Sequence, residues 1–270
     1  MWINGLEQSQ LAARDRATQF GDGCFTTAAV RNGRILLADA HLQRLQESCR
    51  RLLLPAVDWA QLEREMQRAA SGQSQAVLKV IISAGEGGRG YSRAGCSEPT
   101  RILSLSSWPQ HYLQLQQQGA KLSLSPVRLS RNPLLAGIKH LNRLEQVMIR
   151  AYLDQTDADE ALVLDTAGKV TECCAANLFW RRGEKVFTPA LQHAGVDGIM
   201  RRYLIAQMVK AGQQCEMVEC EPAQVMAADE VIICNALMPV LPVRQIDEVC
   251  FSERTLFEQL RQSCKLMEQI

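Results

Sequence analysis

The sequence predicts an α+β fold in which amphipathic helical stretches and short apolar strands follow one another in mixed order. Residues 58–70 have the spacing of a helix that buries one face, and residues 76–84 have the β-branched content of a strand. The order is not strictly alternating, which favours α+β over a doubly wound parallel sheet. A glutamine-rich stretch lies mid-chain. We predict one domain over residues 1–108, a linker over 109–119 and a second domain over 120–270.

The first half begins with a strand at Arg34–Leu37 that leads into a helix, for which Asp39 is the expected N-cap. A further strand is predicted at Thr100–Trp108. These elements supply enough apolar positions for a small core of their own.

The second half contains a strand from Lys121, a helix after Lys139, two hairpins and a terminal helix capped by Ser252. The hairpin turns are expected at Thr166–Gly168 and Arg182–Glu184. An apolar stripe with helical spacing predicts the buried face of the helix after Lys139. The stripe consists of Leu141, Leu144, Val147, Met148, Ala151 and Tyr152.

Composition excludes several classes of function. The chain has 270 residues and a net charge of +1, which gives no reason to expect nucleic acid or an anionic membrane as partner. No apolar run reaches the roughly 18–20 residues that cross a bilayer. The first ten residues lack a basic region followed by an apolar stretch. We therefore predict a cytoplasmic protein.

The ten cysteines are scattered, without a CxxC pair. Several lie inside apolar segments, as Cys234 does in EVIICNA, so we predict free, mostly buried thiols. A disulfide or metal scaffold is disfavoured but stays open at this stage.

Gly85, Gly87 and Gly90 match the spacing of a dinucleotide-binding loop directly after a strand. That motif needs a helix to open at once, and here another loop leads to another strand. A loop over a site is the better interpretation. Arg89 and Tyr91 in this loop either reach an anionic substrate or are plain surface residues.

Lys139 lies among apolar residues just before the predicted helix. An amine in such a setting loses some of its preference for being charged and can act as nucleophile or base. Amides at a nearby helix start would add to this effect. The alternative is a lysine whose stem packs while its amine reaches water.

Three other features fit chemistry around Lys139. Glu172 has small or apolar neighbours and would need a cationic or protonated partner. Gly195 and Gly198 precede an amphipathic helix, whose first amides form a generic anion site. Arg44 could hold a phosphate with two hydrogen bonds. A reactive lysine, an acidic partner and a phosphate cradle together indicate a site for pyridoxal phosphate (PLP).

At these residues the chain resembles the fold-type IV PLP enzymes, the branched-chain and D-amino-acid aminotransferase family, and within it the bacterial aminodeoxychorismate lyases. The segments that carry the resemblance are DRATQFGDGCFTT, AHLQRL, GGRGY, NPLLAGIKHLNRLEQV, DEALVLD, TECCAANLFW, GVDGIMR and VIICNALMPV. The resemblance implies a smaller N-terminal α/β domain, a larger C-terminal domain with a β-barrel-like core, and a homodimer.

The resemblance also implies the site. Lys139 would form an aldimine with the cofactor and move protons, and Glu172 would pair with the ring nitrogen. A tyrosine that some family members place shortly after the lysine is missing here, which makes Asn142 the candidate for the cofactor hydroxyl. The implied cofactor-binding residues are Lys139, Glu172, Arg44, Ile199, Met200, Asn235, Ala236 and Asn142. The residues expected near the substrate are Thr27, Arg89 and Tyr91.

The implied reaction converts 4-amino-4-deoxychorismate to 4-aminobenzoate and pyruvate in folate synthesis. A D-amino-acid or branched-chain aminotransferase would use the same lysine, glutamate and phosphate site, and stays open. A non-enzymatic binding module also stays open, and it would give a colourless protein.

Overall fold

The computed structural model describes residues 1–96 and 98–268, with side chains up to Lys265. The chain divides into two compact units. The first consists of Met1–Trp108 and Ile138–Asn142, and the second of Pro109–Gly137 and everything from Arg143 onward. The α+β prediction is confirmed. Within the described residues, no helix is long and apolar enough to cross a membrane.

The first unit is a six-stranded antiparallel sheet with two long helices against one face. The strands run in the order β2-β1-β6-β5-β3-β4. The elements are β1 (Trp2–Ile3), β2 (Leu6–Glu7), α1 (Arg16–Phe20), β3 (Gly23–Arg31), β4 (Arg34–Ile35), α2 (Ala38–Arg51), α3 (Trp59–Ala70), β5 (Gln75–Ser83) and β6 (Thr100–Ser106).

The core of this unit follows from strand alternation. Cys24, Val30, Leu78 and Val80 point from β3 and β5 toward the helices, where they pack with Leu45. The intervening side chains of both strands therefore lie on the opposite face of the sheet.

The second unit has a curled, mixed sheet of nine strands. Eight strands run in the order β12-β11-β10-β13-β14-β7-β8-β9, and β15 pairs with β14. The elements are α4 (His111–Gln118), β7 (Ala120–Leu124), α5 (Leu144–Leu153), β8 (Glu160–Leu164), β9 (Val170–Cys173), β10 (Asn177–Arg182), β11 (Lys185–Pro189), α6 (Ile199–Lys210), β12 (Cys215–Val218), α7 (Pro222–Met226), β13 (Glu230–Cys234), β14 (Leu241–Ile246), β15 (Val249–Cys250) and α8 (Thr255–Glu268).

The predicted linker at 109–119 is wrong as a description of this segment, because most of it is helix α4. Tyr112 and Leu115, three residues apart on one face of α4, pack against the core of the second unit. The segment Ile138–Asn142, which the prediction assigned to the second domain, belongs to the first unit. Backbone pairing with β3, a contact distant in sequence, places it there.

Both predicted side-chain caps are wrong. Helix α2 starts after Leu37, which has a left-handed backbone and caps no amide, while Asp39 lies inside the first turn. Helix α8 is capped by a glutamate distant in sequence. Glu230, at the start of β13, accepts hydrogen bonds from the amides of Leu256 and Phe257 at 2.8 and 2.7 Å. A buried carboxylate there satisfies two of the orphan donors at a helix start.

The predicted buried stripe on α5 is also wrong, apart from its helical spacing. Leu144 and Val147 are 72% and 61% exposed, and Met148 and Tyr152 are also exposed. Ile149, with Leu153, turns inward instead, against β8. The helix is therefore apolar on two faces, and periodicity alone did not show which face meets the core.

The free thiols are confirmed. The ten cysteines all lie in the described part of the chain, none is in a disulfide, and most are buried. Cys24 and Cys49 bring their sulfur atoms within 3.8 Å of each other between β3 and α2. They pack there as small hydrophobes.

Candidate active site

Lys139 lies in an extended segment and not in a helix. The amide of Phe25 on β3 donates to the carbonyl of Lys139 at 2.9 Å, and the amide of Leu141 donates to the carbonyl of Gly23 at 3.0 Å. Helix α5 begins only at Leu144. Lys139 therefore precedes the helix start by five residues and is not part of its first turn, where the helix-dipole effect is strongest.

The Lys139 side chain is half-buried and shares an aromatic ring with a second lysine. Its Nζ lies 4.7 Å from the centre of the Phe25 ring, and Nζ of Lys79 lies 5.0 Å from the same centre. Lys79 on β5 is directly opposite Thr27 on β3. The sheet face turned away from α2 therefore carries two cations, a hydroxyl and an apolar ring within reach of one small molecule.

Arg44 lies on α2, one turn after His41. The His41 ring is buried and its Nδ1 lies 2.6 Å from the Thr26 hydroxyl. Burial, helped by the charge of Arg44, lowers the pKa of His41 to about 3. A neutral histidine thus fixes α2 to β3 at the turn that carries Arg44.

The loop that carries Arg89 and Tyr91 is held from below by a buried arginine. Arg16 donates to the carbonyls of Gly90, Tyr91 and Ser92 at 3.1–3.2 Å. The side chains of Arg89 and Tyr91 are themselves exposed. The structure thus orders the loop backbone and leaves these two side chains in solvent.

Asp22 ties this clamp to the sheet. Arg16 Nε donates to its carboxylate at 2.7 Å, and Arg93 forms a two-point ion pair with it. Burial opposes ionisation of Asp22, but the hydrogen bonds from the two arginines outweigh it and hold its pKa below the usual value.

Asn142 is already engaged within the first unit. Its Nδ2 donates to the carbonyl of Gly21 at 3.0 Å, and a Cβ atom at Gly21 would run into the same side chain. Gly21 has φ +60°, a backbone that favours glycine. Asn142 therefore fixes the end of the Lys139 segment, and its contact with a cofactor hydroxyl stays a prediction.

Glu172 lies in the second unit. It is 4% exposed on β9, and its Oε2 accepts the amide of Val196 at 2.7 Å. Arg143 is near enough that Glu172 affects it: burial lowers the pKa of Arg143, and the negative charge of Glu172 opposes that change. A buried carboxylate with a backbone donor and a nearby cation fits a group that must stay ionised.

The glycine-bounded turn leads directly into α6. Gly198 is the residue before the helix and has no side chain with which to cap its start. Arg201 in the first helical turn is buried and donates to Asp197 Oδ1 at 2.8 Å and to the Pro189 carbonyl at 3.0 Å. The amides of Ile199 and Met200 are thus presented on a fixed turn, as an anion site requires.

Asn235 and Ala236 form a tight turn at the end of β13. The Asn235 side chain accepts the amides of Leu237 and Met238 at 2.9 and 2.8 Å and donates to the Ala175 carbonyl at 3.1 Å. Its own amide donates to the Met238 carbonyl at 2.8 Å. Asn235 therefore shapes the turn, and of the predicted pair Ala236 is the better candidate for a phosphate contact.

Taken unit by unit, the residues fit PLP. The first unit offers a half-buried lysine amine over an aromatic ring. The second offers a buried carboxylate for a protonated ring nitrogen and an uncapped helix start for a phosphate. The roles of the individual residues remain proposals.

Residues 23–246 match the sequence pattern of the amino-transferase class IV family. The chain belongs to this family. The family is PLP-dependent in general, and the fold is that of the fold-type IV enzymes.

Two named proteins are similar to this chain over most of its length. The chain is 39% identical over 245 residues to an aminodeoxychorismate lyase of Vibrio harveyi, covering 91% of this chain and 90% of that one. It superposes on the crystal structure of the 4-amino-4-deoxychorismate lyase of Pseudomonas aeruginosa with a TM-score of 0.91 and 39% identity, covering 97% and 98% of the two chains.

A third likeness concerns the fold alone. A hypothetical aminotransferase from Mycobacterium tuberculosis in its PLP-bound form has a TM-score of 0.85 at 21% identity, covering 97% of this chain and 94% of that one. The same architecture thus carries PLP in a distant relative.

Sequence reasoning missed Lys79 and Asn177. Lys79 lies in a strand that was predicted from its apolar pattern alone. It becomes a candidate site residue because its amine lies near the same Phe25 ring as the amine of Lys139. Asn177 lies in the TECCAANLFW segment, yet its partners are about 20 residues away. For Asn177, the only signal in the sequence was a polar residue at a strand position that is expected to be buried.

Glu160 on β8 makes the stability of the folded protein depend on pH. Its carboxylate accepts the amides of Ala161 and Ala175 at 2.8 and 3.1 Å, and burial, which outweighs these hydrogen bonds, raises its pKa to about 7. Because the folded-state pKa lies above the unfolded value, ionising Glu160 costs stability as the pH rises from about 4.5 to about 7.

We expect Glu160→Gln to gain stability over the wild type as the pH rises. The difference in free energy of unfolding between variant and wild type should grow by about 1–3 kcal/mol between about pH 5 and pH 8. Urea unfolding at the two pH values measures it. A difference that is independent of pH would contradict the raised pKa.

Proposed function

We propose that the protein is a PLP-dependent lyase that converts 4-amino-4-deoxychorismate to 4-aminobenzoate and pyruvate. The observation that carries the proposal is the 39% identity, over at least nine-tenths of the chain, to two proteins named as this lyase. The half-buried Lys139 amine and the buried Glu172 carboxylate support it, since the reaction needs a base and a fixed negative charge.

The cofactor-holding residues are assigned by their chemistry. Lys139 would attach the cofactor covalently and Glu172 would face its ring nitrogen. The phosphate would be bound by Arg44 and by backbone amides at Ile199, Met200 and the Asn235–Ala236 turn, and Asn142 is the candidate for the ring hydroxyl. Arginine and helix-start amides are the usual partners of such a phosphate.

The bound cofactor would supply an electron sink for the charge left when the amine-bearing carbon of the substrate loses its proton. Once the substrate amine has taken its place on the cofactor, the released Lys139 Nζ would take that proton. The bond between the substrate ring carbon and the enolpyruvyl oxygen breaks, the substrate ring becomes aromatic, and the proton held on Lys139 Nζ would pass to the methylene carbon of the leaving group to give pyruvate. Glu172 stays ionised throughout, held by the Val196 amide.

Lys79 is proposed to bind a substrate carboxylate. The substrate carries two carboxylates, and the exposed Lys79 ammonium lies on the same face as Lys139, opposite Thr27. Arg89, on the ordered loop with Tyr91, is the candidate for the other carboxylate. A charge-assisted hydrogen bond of this kind is worth about 1.5–3 kcal/mol.

We expect Lys79→Ala to raise KM by about 10- to 100-fold with a much smaller change in kcat, since it removes a binding contact and no proton transfer. Steady-state kinetics measure this, with Lys210→Ala as an exposed-lysine control. An unchanged KM, or an equal rise in the control, would remove Lys79 from the substrate site.

The rival is a D-amino-acid or branched-chain aminotransferase, an activity that the family description names. Two assays decide between them. The protein is given 4-amino-4-deoxychorismate and pyruvate is measured, and in parallel it is given D-alanine or leucine with an oxo acid. We expect rapid pyruvate release and little amino transfer. Rapid transfer without lyase turnover would establish the rival.

We also propose a homodimer, for which the exposed apolar face of α5 is the candidate contact. Val147 on this face is 61% exposed and Val209 on α6 is 62% exposed, which makes the two a matched pair. We expect the wild type and Val209→Glu to sediment as dimers and Val147→Glu to dissociate, because a buried charge at an interface is costly. A monomeric wild type, or a dimeric Val147→Glu, would overturn this contact.

A further inference from the structure

Two buried side chains form hydrogen bonds with the backbone of Val196. Its amide donates to Glu172 Oε2 at 2.7 Å, and its carbonyl accepts from Asn177 Nδ2 at 2.9 Å. Glu172 is 4% exposed and Asn177 is 6% exposed. In such surroundings each hydrogen bond is directional and expensive to lose.

The other end of the Asn177 amide touches the start of α6. A Cβ atom at Gly198 would overlap Asn177 Oδ1, so only glycine fits beside it. The backbone of Gly137 also holds this turn: the Gly137 amide donates to the Gly195 carbonyl at 2.9 Å, and the Asp197 amide donates to the Gly137 carbonyl at 3.1 Å. Asn177 therefore adds a buried side-chain contact to the backbone contacts that fix the turn.

Asn177 is itself placed by the sheet. On β10 it is paired with Cys234 on β13, the residue just before Asn235. Asn235 in turn donates to the carbonyl of Ala175, two residues before Asn177. Val196 thus links Glu172 on β9 to Asn177 on β10, and β10 is paired with the end of β13.

We propose that Asn177 is a positioning residue for the cofactor. By holding Val196 it sets the direction of the Glu172 carboxylate and, through the same turn, the positions of the Ile199 and Met200 amides. One side chain thereby keeps the partner of the ring nitrogen and the phosphate cradle in a fixed relation. This inference rests on the PLP site of the proposed function, and it adds a residue that touches neither cofactor nor substrate.

The test uses PLP binding to the full-length apoprotein, without substrate. We expect Asn177→Ala to bind PLP about 10- to 100-fold more weakly than wild type, the loss that an unsatisfied buried group brings. The pH midpoint of the near-visible absorbance should also shift, because Glu172 is no longer held in place.

Asn177→Asp keeps the shape and gives a sharper result. When its carboxyl is protonated it can donate to the Val196 carbonyl, and when ionised it repels that carbonyl. Its PLP affinity relative to wild type should approach one at about pH 5 and fall as the pH is raised to about 9, whereas Asn177→Ala should show no such recovery. This variant also serves if Asn177→Ala fails to fold.

The control is Val225→Ala, which makes a cavity in the core of the same unit at a residue outside the turn. It should lower the melting temperature and leave PLP affinity and the absorbance midpoint unchanged. The proposal is overturned if both Asn177 variants bind PLP like wild type at about pH 9, or if the control shifts the midpoint as they do. A wild type that binds PLP but releases no pyruvate would refute the lyase function and not this inference.

Discussion

Replacing Lys139 with Ala is expected to reduce lyase turnover by at least about 10⁴-fold, more than any other substitution in the site. The loss combines covalent attachment of the cofactor with a proton transfer that alone is worth about 10²–10⁴-fold. The variant should also lose the near-visible absorbance of the covalently bound cofactor. Pyruvate release and an absorbance spectrum of the reconstituted protein measure both effects.

Lys79→Ala is the matched control for the spectrum. Both amines lie close to the centre of the Phe25 ring, 4.7 Å for Lys139 and 5.0 Å for Lys79, so they share much of their surroundings. Only the Lys139 variant should lose the absorbance. If Lys139→Ala keeps its turnover and its spectrum, the assigned role of Lys139 is wrong.

Glu172→Gln is expected to lower turnover by about 100- to 1,000-fold, as removing one fixed electrostatic contact in an active site typically does. The amide oxygen of the substituted side chain can still accept a hydrogen bond from the Val196 amide, so the local structure should be kept. What is lost is the negative charge that keeps the ring nitrogen protonated. Turnover and the pH dependence of the absorbance measure the effect.

Glu145→Gln is the control for this charge change. Glu145 lies in the same unit and also accepts a backbone amide, that of Ser130 at 2.8 Å. We expect turnover near that of wild type for the control. A similar fall in both variants would attribute the effect to overall charge, and full activity of Glu172→Gln would exclude Glu172 from the site.

Local pattern predicted most of the elements. The helix at 58–70 and the strand at 76–84 match α3 and β5 closely, because spacing and residue type act over a few neighbouring residues. The hairpin turns fell at Thr166–Gly168 and Arg182–Glu184 for the same reason.

The errors share a different cause, namely partners far away in sequence. Glu230 caps a helix that begins 25 residues later, and no local motif signals it. The Lys139 segment pairs with β3 more than 100 residues earlier, so Leu141, the first residue of the predicted helical stripe, is extended and the helix begins only at Leu144. Helix α5 has two apolar faces, and tertiary packing chose Ile149 over Val147 for the core.

The residues of the candidate site also divide into those that local sequence indicated and those that depend on partners distant in sequence. Lys139 and Glu172 were proposed from their apolar surroundings, but the family resemblance was needed to join them. Lys79 and Asn177 gain their interest only from geometry, one from a shared ring and one from its contacts with Val196 and Gly198. Such contacts cannot be read from spacing, since they depend on how strands are paired.

The most direct test of the central claim is product formation from 4-amino-4-deoxychorismate by the wild-type protein, before and after reconstitution with PLP. We predict pyruvate and 4-aminobenzoate in equal amounts from the reconstituted protein and almost none from the apoprotein. Substrate consumption without either product, or equal turnover with and without PLP, would contradict the account.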